Sequence, residues 1–391
     1  MDAFAHGLRL PTVDGRLESW PIGEPSPFPR TADAAFNRVA FAAAHVVADP
    51  RSPADPWLAA AIDWDATIGY RRYLWGLGFS VAEAMDTAQR GMGLDWQNAL
   101  ALIRRSASTA KADGHRRLAS GAGTDHLDPS AAHSIDDVIG AYEEQIEAIE
   151  AAGSHVILMA SRALARVARS PDDYLKVYDR LLRQLREPAI LHWLGDMFDP
   201  QLAGYWGSKD IGAAMATCLD VIRANPGKVD GIKISLLDAA REVEMRRRLP
   251  AAVRMYTGDD FNFADLILGD AEGYSHALLG IFDAIAPAAA TALGRLAAGD
   301  KGGFRQILGP TVPLSRLIFA APTRFYKTGV VFLAWLNGHQ DHFVMVGGQE
   351  SARSLVHLAE VFRLADRARL LADPELAVRR MRAFLLVHGI E

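Results

Sequence analysis

The chemistry open to this chain is most legible in the stretch Val229-Asp230-Gly231-Ile232-Lys233-Ile234-Ser235. It reads as a buried β-strand with a lysine in its middle. Successive side chains of a strand face opposite sides, so Ile232 and Ile234 share one face, and Gly231, Lys233 and Ser235 the other. An ammonium group in a dry interior is costly unless it is paired or gives up its proton. A lysine so placed can become the neutral amine that Schiff-base chemistry requires. The competing reading is a lysine at a strand end, reaching solvent or pairing with a carboxylate such as Asp238.

His192, between Leu191 and Trp193, faces opposite to both of them on a neighbouring strand, either as hydrogen-bonded core or as a proton carrier. A metal site is the chemical competitor. Asp49, Glu83, His192, Asp259 and Asp260 offer oxygen and imidazole ligands, but no HxH or HExxH spacing supports one. Gly121-Ala122-Gly123 is too short for a dinucleotide fingerprint.

These residues need a scaffold, and the order of elements points to one. Strands are expected at Arg38 to Val47, Phe79 to Met85, Arg117 to Ala122, Val156 to Ala160, Ala189 to Trp193, Val229 to Ser235, Val253 to Thr257 and Gly273 to Leu278. Helical periodicity separates most of them, as in Ser134 to Ala152, which opens on a capping serine and is followed by Gly153. This alternation predicts an α/β fold, a (β/α)8 TIM barrel, rather than an open doubly wound sheet. Before it, Val13-Asp14-Gly15 signals a hairpin, and residues 1–35 read as an arm lying on the main domain. The barrel is expected over 36–286, and 287–391 reads as a C-terminal helical extension.

The 391 residues are 50% hydrophobic and 23% charged, with a formal net charge of −5, an acidity that argues against a nucleic-acid-binding surface. The single Cys218 excludes an intramolecular disulfide and fits a reducing compartment. Neither a signal peptide nor a membrane-spanning run is evident, so a cytoplasmic protein with no membrane partner is expected.

The strand order resembles the dihydrodipicolinate synthase and N-acetylneuraminate lyase superfamily, the lysine-dependent class I aldolases. The resemblance runs from about Arg38 to Gln340. Ala61-Ile62-Asp63-Trp64-Asp65-Ala66 is similar to the family's Ile-Asp-Phe-Asp segment. Leu118 to Thr124 resembles its Ala-Gly-x-Gly motif, and Pro188-Ala189-Ile190-Leu191 its Pro-Val-Ile-Leu. Gly231-Ile232-Lys233 is similar to the Gly-Ile-Lys that carries the Schiff-base lysine. Tyr256-Thr257-Gly258-Asp259-Asp260 resembles Ser-Gly-Asp-Asp, Gly273-Tyr274-Ser275 resembles Gly-x-x-Ser, and Tyr326-Lys327-Thr328 resembles the Lys-Ala segment of the tail. The departures are equally specific. The family's Gly-Thr-Thr-Gly-Glu loop is Asp86-Thr87-Ala88-Gln89-Arg90 here, and its strand-five tyrosine falls on His192.

The resemblance implies a Schiff-base-forming lyase or aldolase acting on a 2-keto acid or keto-sugar derivative, with no cofactor. Lys233 would be the nucleophile, with His192 and Thr87 moving protons. Arg90 and Arg162 are the candidates for a substrate carboxylate, each with the alternative of a surface arginine. Ser235, Gly258, Asp259, Asp260 and Ser275 would contact the rest of the substrate, a polyol by analogy with the neuraminate lyase branch. A metal-dependent hydratase or isomerase, and a non-catalytic binding barrel, are the alternatives. The apolar tail stretches Leu314 to Ala321 and Val330 to Leu336 call for burial, so a homo-oligomer, dimer or tetramer, is expected.

Overall fold

The computed structural model describes residues 8–29, 35–114 and 117–390, without the side chains of Thr87 and Ala88. Outside a short hairpin of β1 (Leu8–Pro11) and β2 (Leu17–Trp20), the strands are β3 (Ala40–Ala43), β4 (Ser80–Glu83), β5 (Leu118–Ala122), β6 (His155–Leu158), β7 (Ala189–Leu194), β8 (Val229–Ser235), β9 (Arg254–Thr257) and β10 (His276–Leu279). These eight pair in parallel and close into a barrel in chain order, β10 returning to β3. With the surrounding helices this is the (β/α)8 barrel that the alternation predicts, with a C-terminal helical extension.

By compactness the chain divides into two units. One comprises Arg38–Ala44 and Phe79–Gly280, and holds all eight barrel strands. Its strands are short and almost wholly buried, because residues of a closed parallel sheet are covered on both faces. Phe41, Ala82, Ala119, Ile157, Ile190, Tyr256 and Leu278 fill the interior. Its helices start where side chains satisfy the first free N–H groups. Asp95, Ser134, Asp210 and Asp238 each accept from the third residue of the helix they precede. Gly153 ends Ile135–Ala152 at φ 82°, a left-handed conformation that glycine adopts without strain.

The other unit comprises the described parts of Met1–Asn37, His45–Gly78 and Ile281–Glu391. Within it the hairpin docks on helix Leu355–Arg367: Arg363 donates to the carbonyls of Leu10 and Pro11 (both 3.0 Å), and Trp20 Nε1 donates to Asp366 (2.8 Å). The arm's described hydrogen bonds beyond itself thus run to the far end of the chain, among them Ser26 N–H to the Leu371 carbonyl (2.9 Å). Helix Tyr326–Leu336 is buried along all 11 residues within this chain, which removes one of the apolar stretches that had called for a partner subunit. Leu314 and Ile318 are likewise buried.

A buried charge cluster ties this unit together. Asp283 accepts from the His45 backbone N (2.7 Å) and from His45 Nδ1 (2.9 Å), and pairs with Lys327 Nζ at 3.5 Å. His45 Nε2 meets Gln340 Oε1 at 3.2 Å, and Gln340 Nε2 donates to the His342 carbonyl at 2.7 Å. Burial alone would raise the Asp283 carboxyl, but His45 and Lys327 hold it well below the usual carboxylate range. Among the described residues no helix is long and apolar enough to cross a membrane.

Candidate active site

β8 carries Lys233 into the barrel. Its register partners are His192 on β7 and Tyr256 on β9, and Ile190 and Tyr256 belong to the interior cluster, so His192 and Lys233 share that face. Both are buried. The Lys233 amine reaches the thioether of Met85, at 3.8 Å. The His192 imidazole is held well below the usual histidine range, first by burial and then by the positive charge of Lys233. It is therefore neutral at pH 7 and suited to accepting a proton. Its Nε2 lies 3.3 Å from Ser235 Oγ, whose residue follows Lys233 on the same face of β8.

Gly258 completes this group. A Cβ at that position would stand 2.8 Å from Lys233 Cε and 2.7 Å from the Ile234 carbonyl, and would collide with Ser235 Oγ. Only glycine leaves the lysine stem its path. Tyr256, the one tyrosine beside Lys233 in register, is not available as its proton carrier: its phenol donates to Asp230 at 2.7 Å, beneath the lysine.

Met159, in the same buried cluster as the Met85 that the lysine reaches, lines a cavity of about 220 Å³ over the ends of β5 and β6. Arg162 lines it, with Nε held by the buried Asp199 at 2.6 Å. Thr124 and Ser161 line it too, and their hydroxyls lie 2.6 Å apart. Sequence reasoning set no role for this pair; its signal was the position of both residues just beyond strand ends.

Arg90 lines the same cavity, but its donors are committed. Arg90 spends all five N–H donors: Nε and one Nη2 hydrogen on Asp125, the other on Gln145, and Nη1 on the carbonyls of Ala84 and Gly121. It is a strut between the loops after β4 and β5, with no donor left for a substrate carboxylate. Asp259 accepts from the backbone N–H of Phe261 and Asn262 and from the Asn262 side chain, so it closes a turn. Asp260 is buried beside it.

Ser275 precedes β10 instead of lying within it, because Gly269 to Gly273 forms a tight turn braced by Asp270 and the strand starts only at His276. Its hydroxyl donates to Glu242 on helix Ala239–Arg248 at 2.7 Å, in the layer outside the barrel. Thr87 opens a short helix after β4, and its side chain lies outside the described residues.

The carboxylates weighed as metal ligands are dispersed as well. Glu83 faces outward and accepts from Ser106 at 2.6 Å, and among the described residues no three His, Cys, Asp or Glu side chains are grouped to hold a metal.

A family model described as "Protein of unknown function (DUF993)" matches residues 8–390. The chain belongs to this family. A search of curated proteins returned no match. Among solved structures, its fold is that of the dihydrodipicolinate synthases. A putative dihydrodipicolinate synthetase from Pseudomonas aeruginosa superposes with a TM-score of 0.62 at 14% identity, over 85% of this chain and 100% of that one. The dihydrodipicolinate synthase of Bacillus clausii gives 0.61 at 15%, over 85% and 97%. A putative family protein from Coccidioides immitis gives 0.55 at 15%, over 93% and 99%. The DUF993 chain thus shares the fold of these proteins, and identities this low carry the fold and not the substrate.

Proposed function

We propose that this protein is a Schiff-base-forming lyase or aldolase acting on a 2-keto acid or keto-sugar derivative. The observation that carries the reading is Lys233, buried on the inner face of the sixth barrel strand beside a neutral His192. The Lys233 amine attacks the C2 carbonyl, water leaves, and the resulting iminium draws electrons from a neighbouring bond as it breaks. His192 takes the proton released in that step, and Ser235 Oγ, within reach of its Nε2, orients the ring.

Arg162 is the proposed carboxylate anchor. Asp199 fixes its Nε edge and the Nη groups remain for bidentate contact in the adjoining cavity. Arg90, with its donors spent, is left out of this role. The cavity volume accommodates a short keto acid, and the hydroxyls of Thr124 and Ser161 supply hydrogen bonds to its oxygens.

The test is reductive trapping. Incubation with pyruvate and a panel of 2-keto acids, followed by borohydride, is expected to add the mass of a reduced ketimine to the peptide carrying Lys233. Lys233→Ala and Lys233→Arg are expected to abolish the adduct, the latter because a guanidinium stays protonated. An adduct on Lys209 or Lys228, or turnover with Lys233 replaced, overturns the assignment.

A further inference from the structure

A second and larger cavity, of about 380 Å³, lies over the ends of β7 and β8. It begins where the face shared by Lys233 and His192 ends. Leu194, which lines it, is the register partner of Ser235, and the Gly195 N–H donates to the Ser235 carbonyl at 3.0 Å. A Cβ on Gly195 would stand 2.9 Å from that carbonyl and collide with Met197 Sδ, so this loop lies flat on the end of the lysine strand.

The floor is apolar: Leu194, Leu202, Tyr205 and Leu236 are buried, and Ile211 half-buried. Met197 stands at the edge at 39% exposure, one of the few large apolar side chains in the described chain left so open. Charge is confined to the rim, and part of it is committed. Asp238 caps the helix after β8 through the Arg241 N–H (3.1 Å), and Arg241 pairs with Glu244 (3.0 Å).

On the other side of Lys233, two of the partners a polyol would need are spent: the Ser275 hydroxyl on Glu242, and the Asp259 carboxylate on its own turn. A cavity of this size with an apolar floor and a polar rim suits an alkyl or aryl group whose outer end meets water.

We infer that the substrate carries an apolar group on the carbon that departs, and that this cavity holds it. The substrate class is a 4-hydroxy-2-keto acid with an alkyl or aryl substituent at C4. The inference rests on the Schiff-base reading. Lys233 Nζ bonds to C2 and water leaves. The base takes the C4 hydroxyl proton as the C3–C4 bond breaks. The bonding pair passes to C3 as an enamine, and C4 leaves as an apolar aldehyde. The enamine is then protonated at C3, and water hydrolyses the imine to free the short keto acid and the lysine.

The test runs the reaction in the condensing direction. Pyruvate is offered with benzaldehyde, butanal or glyceraldehyde, and the products are followed by mass. Benzaldehyde or butanal is expected to exceed glyceraldehyde at least tenfold in kcat/KM. Met197→Glu, at an exposed position, is expected to cut that ratio about tenfold or more. Borohydride trapping on wild-type Lys233 runs in parallel and separates two failures. An adduct together with a preference for glyceraldehyde, or with a ratio unmoved by Met197→Glu, overturns the apolar-group inference and leaves the lyase reading standing. Absence of any adduct across the keto-acid panel overturns both.

Discussion

Gly258 lies so close to Lys233 that a single methyl group added to it would stand 2.8 Å from the lysine Cε. The same methyl would press on Ser235 and on the Ile234 carbonyl, 2.7 Å away, which is backbone and cannot swing aside. Gly258→Ala is therefore expected to push the lysine stem from its path. Overpacking of this kind typically costs about 1–3 kcal/mol, which leaves most domains folded. Ketimine trapping is expected to fall at least tenfold while circular dichroism keeps its native form. A variant that traps as well as wild type would show that the glycine is not needed for the lysine's reach.

His192 is held neutral by burial and by the charge of Lys233, so as a base it is ready throughout the neutral range. The acid limb of a kcat/KM profile that reports His192 is expected well below pH 6.5. His192→Ala is expected to lower turnover by about 10²–10⁴, the usual worth of a general acid or base. Unchanged turnover would return His192 to a packing role, whereas an acid limb at 6.5 or above that vanishes in the variant would show a base that burial does not hold below its ordinary range.

Asp283 is in contact with both His45 and Lys327. Asp283→Asn is expected to destabilise the fold by about 3–5 kcal/mol, because it takes the carboxylate charge away from the buried Lys327 amine. Its carboxyl lies below the usual range in the folded chain, so its contribution is present above pH 3.8 and is lost as pH falls further. Denaturant melts at pH 7 measure the first effect. A loss under 1 kcal/mol would contradict it.

Glu242 works in the opposite sense. Burial raises its carboxyl from 4.5 to about 8, against the smaller opposing effects of Ser275 and Thr257, and its Oε2 has no partner. Between those two values the folded chain keeps a proton that the unfolded chain has released, so stability falls as pH rises. Glu242→Gln keeps the acceptor for Ser275 and removes the titration. It is expected to gain on wild type progressively from pH 4.5 to 8, reaching a few kcal/mol. A difference that stays flat across that range would show that Glu242 does not titrate this way.

Local rules account for much of what the sequence determined. The period-two face of β8 put Lys233 and Ser235 together, and the register of a parallel barrel then added His192. Ser134 and Gly153 bounded their helix as capping chemistry requires. The eight-strand alternation sufficed for the barrel, because βα units have few ways to bury both faces of a parallel sheet.

What the tertiary structure alone decided depends on who meets whom across the chain. Arg90 looked like a free cation until Asp125, Gln145 and two carbonyls took its donors. Ser275 looked like a substrate contact until the turn at Gly269 to Gly273 delayed β10 and aimed it at Glu242. Helix Tyr326–Leu336 looked like an interface until the chain itself buried it. Hydrophobic period and capping act over a few residues, and the sequence states them directly. Hydrogen-bond partners and cavity walls come from segments tens to hundreds of residues apart, so only the closed fold assigns them.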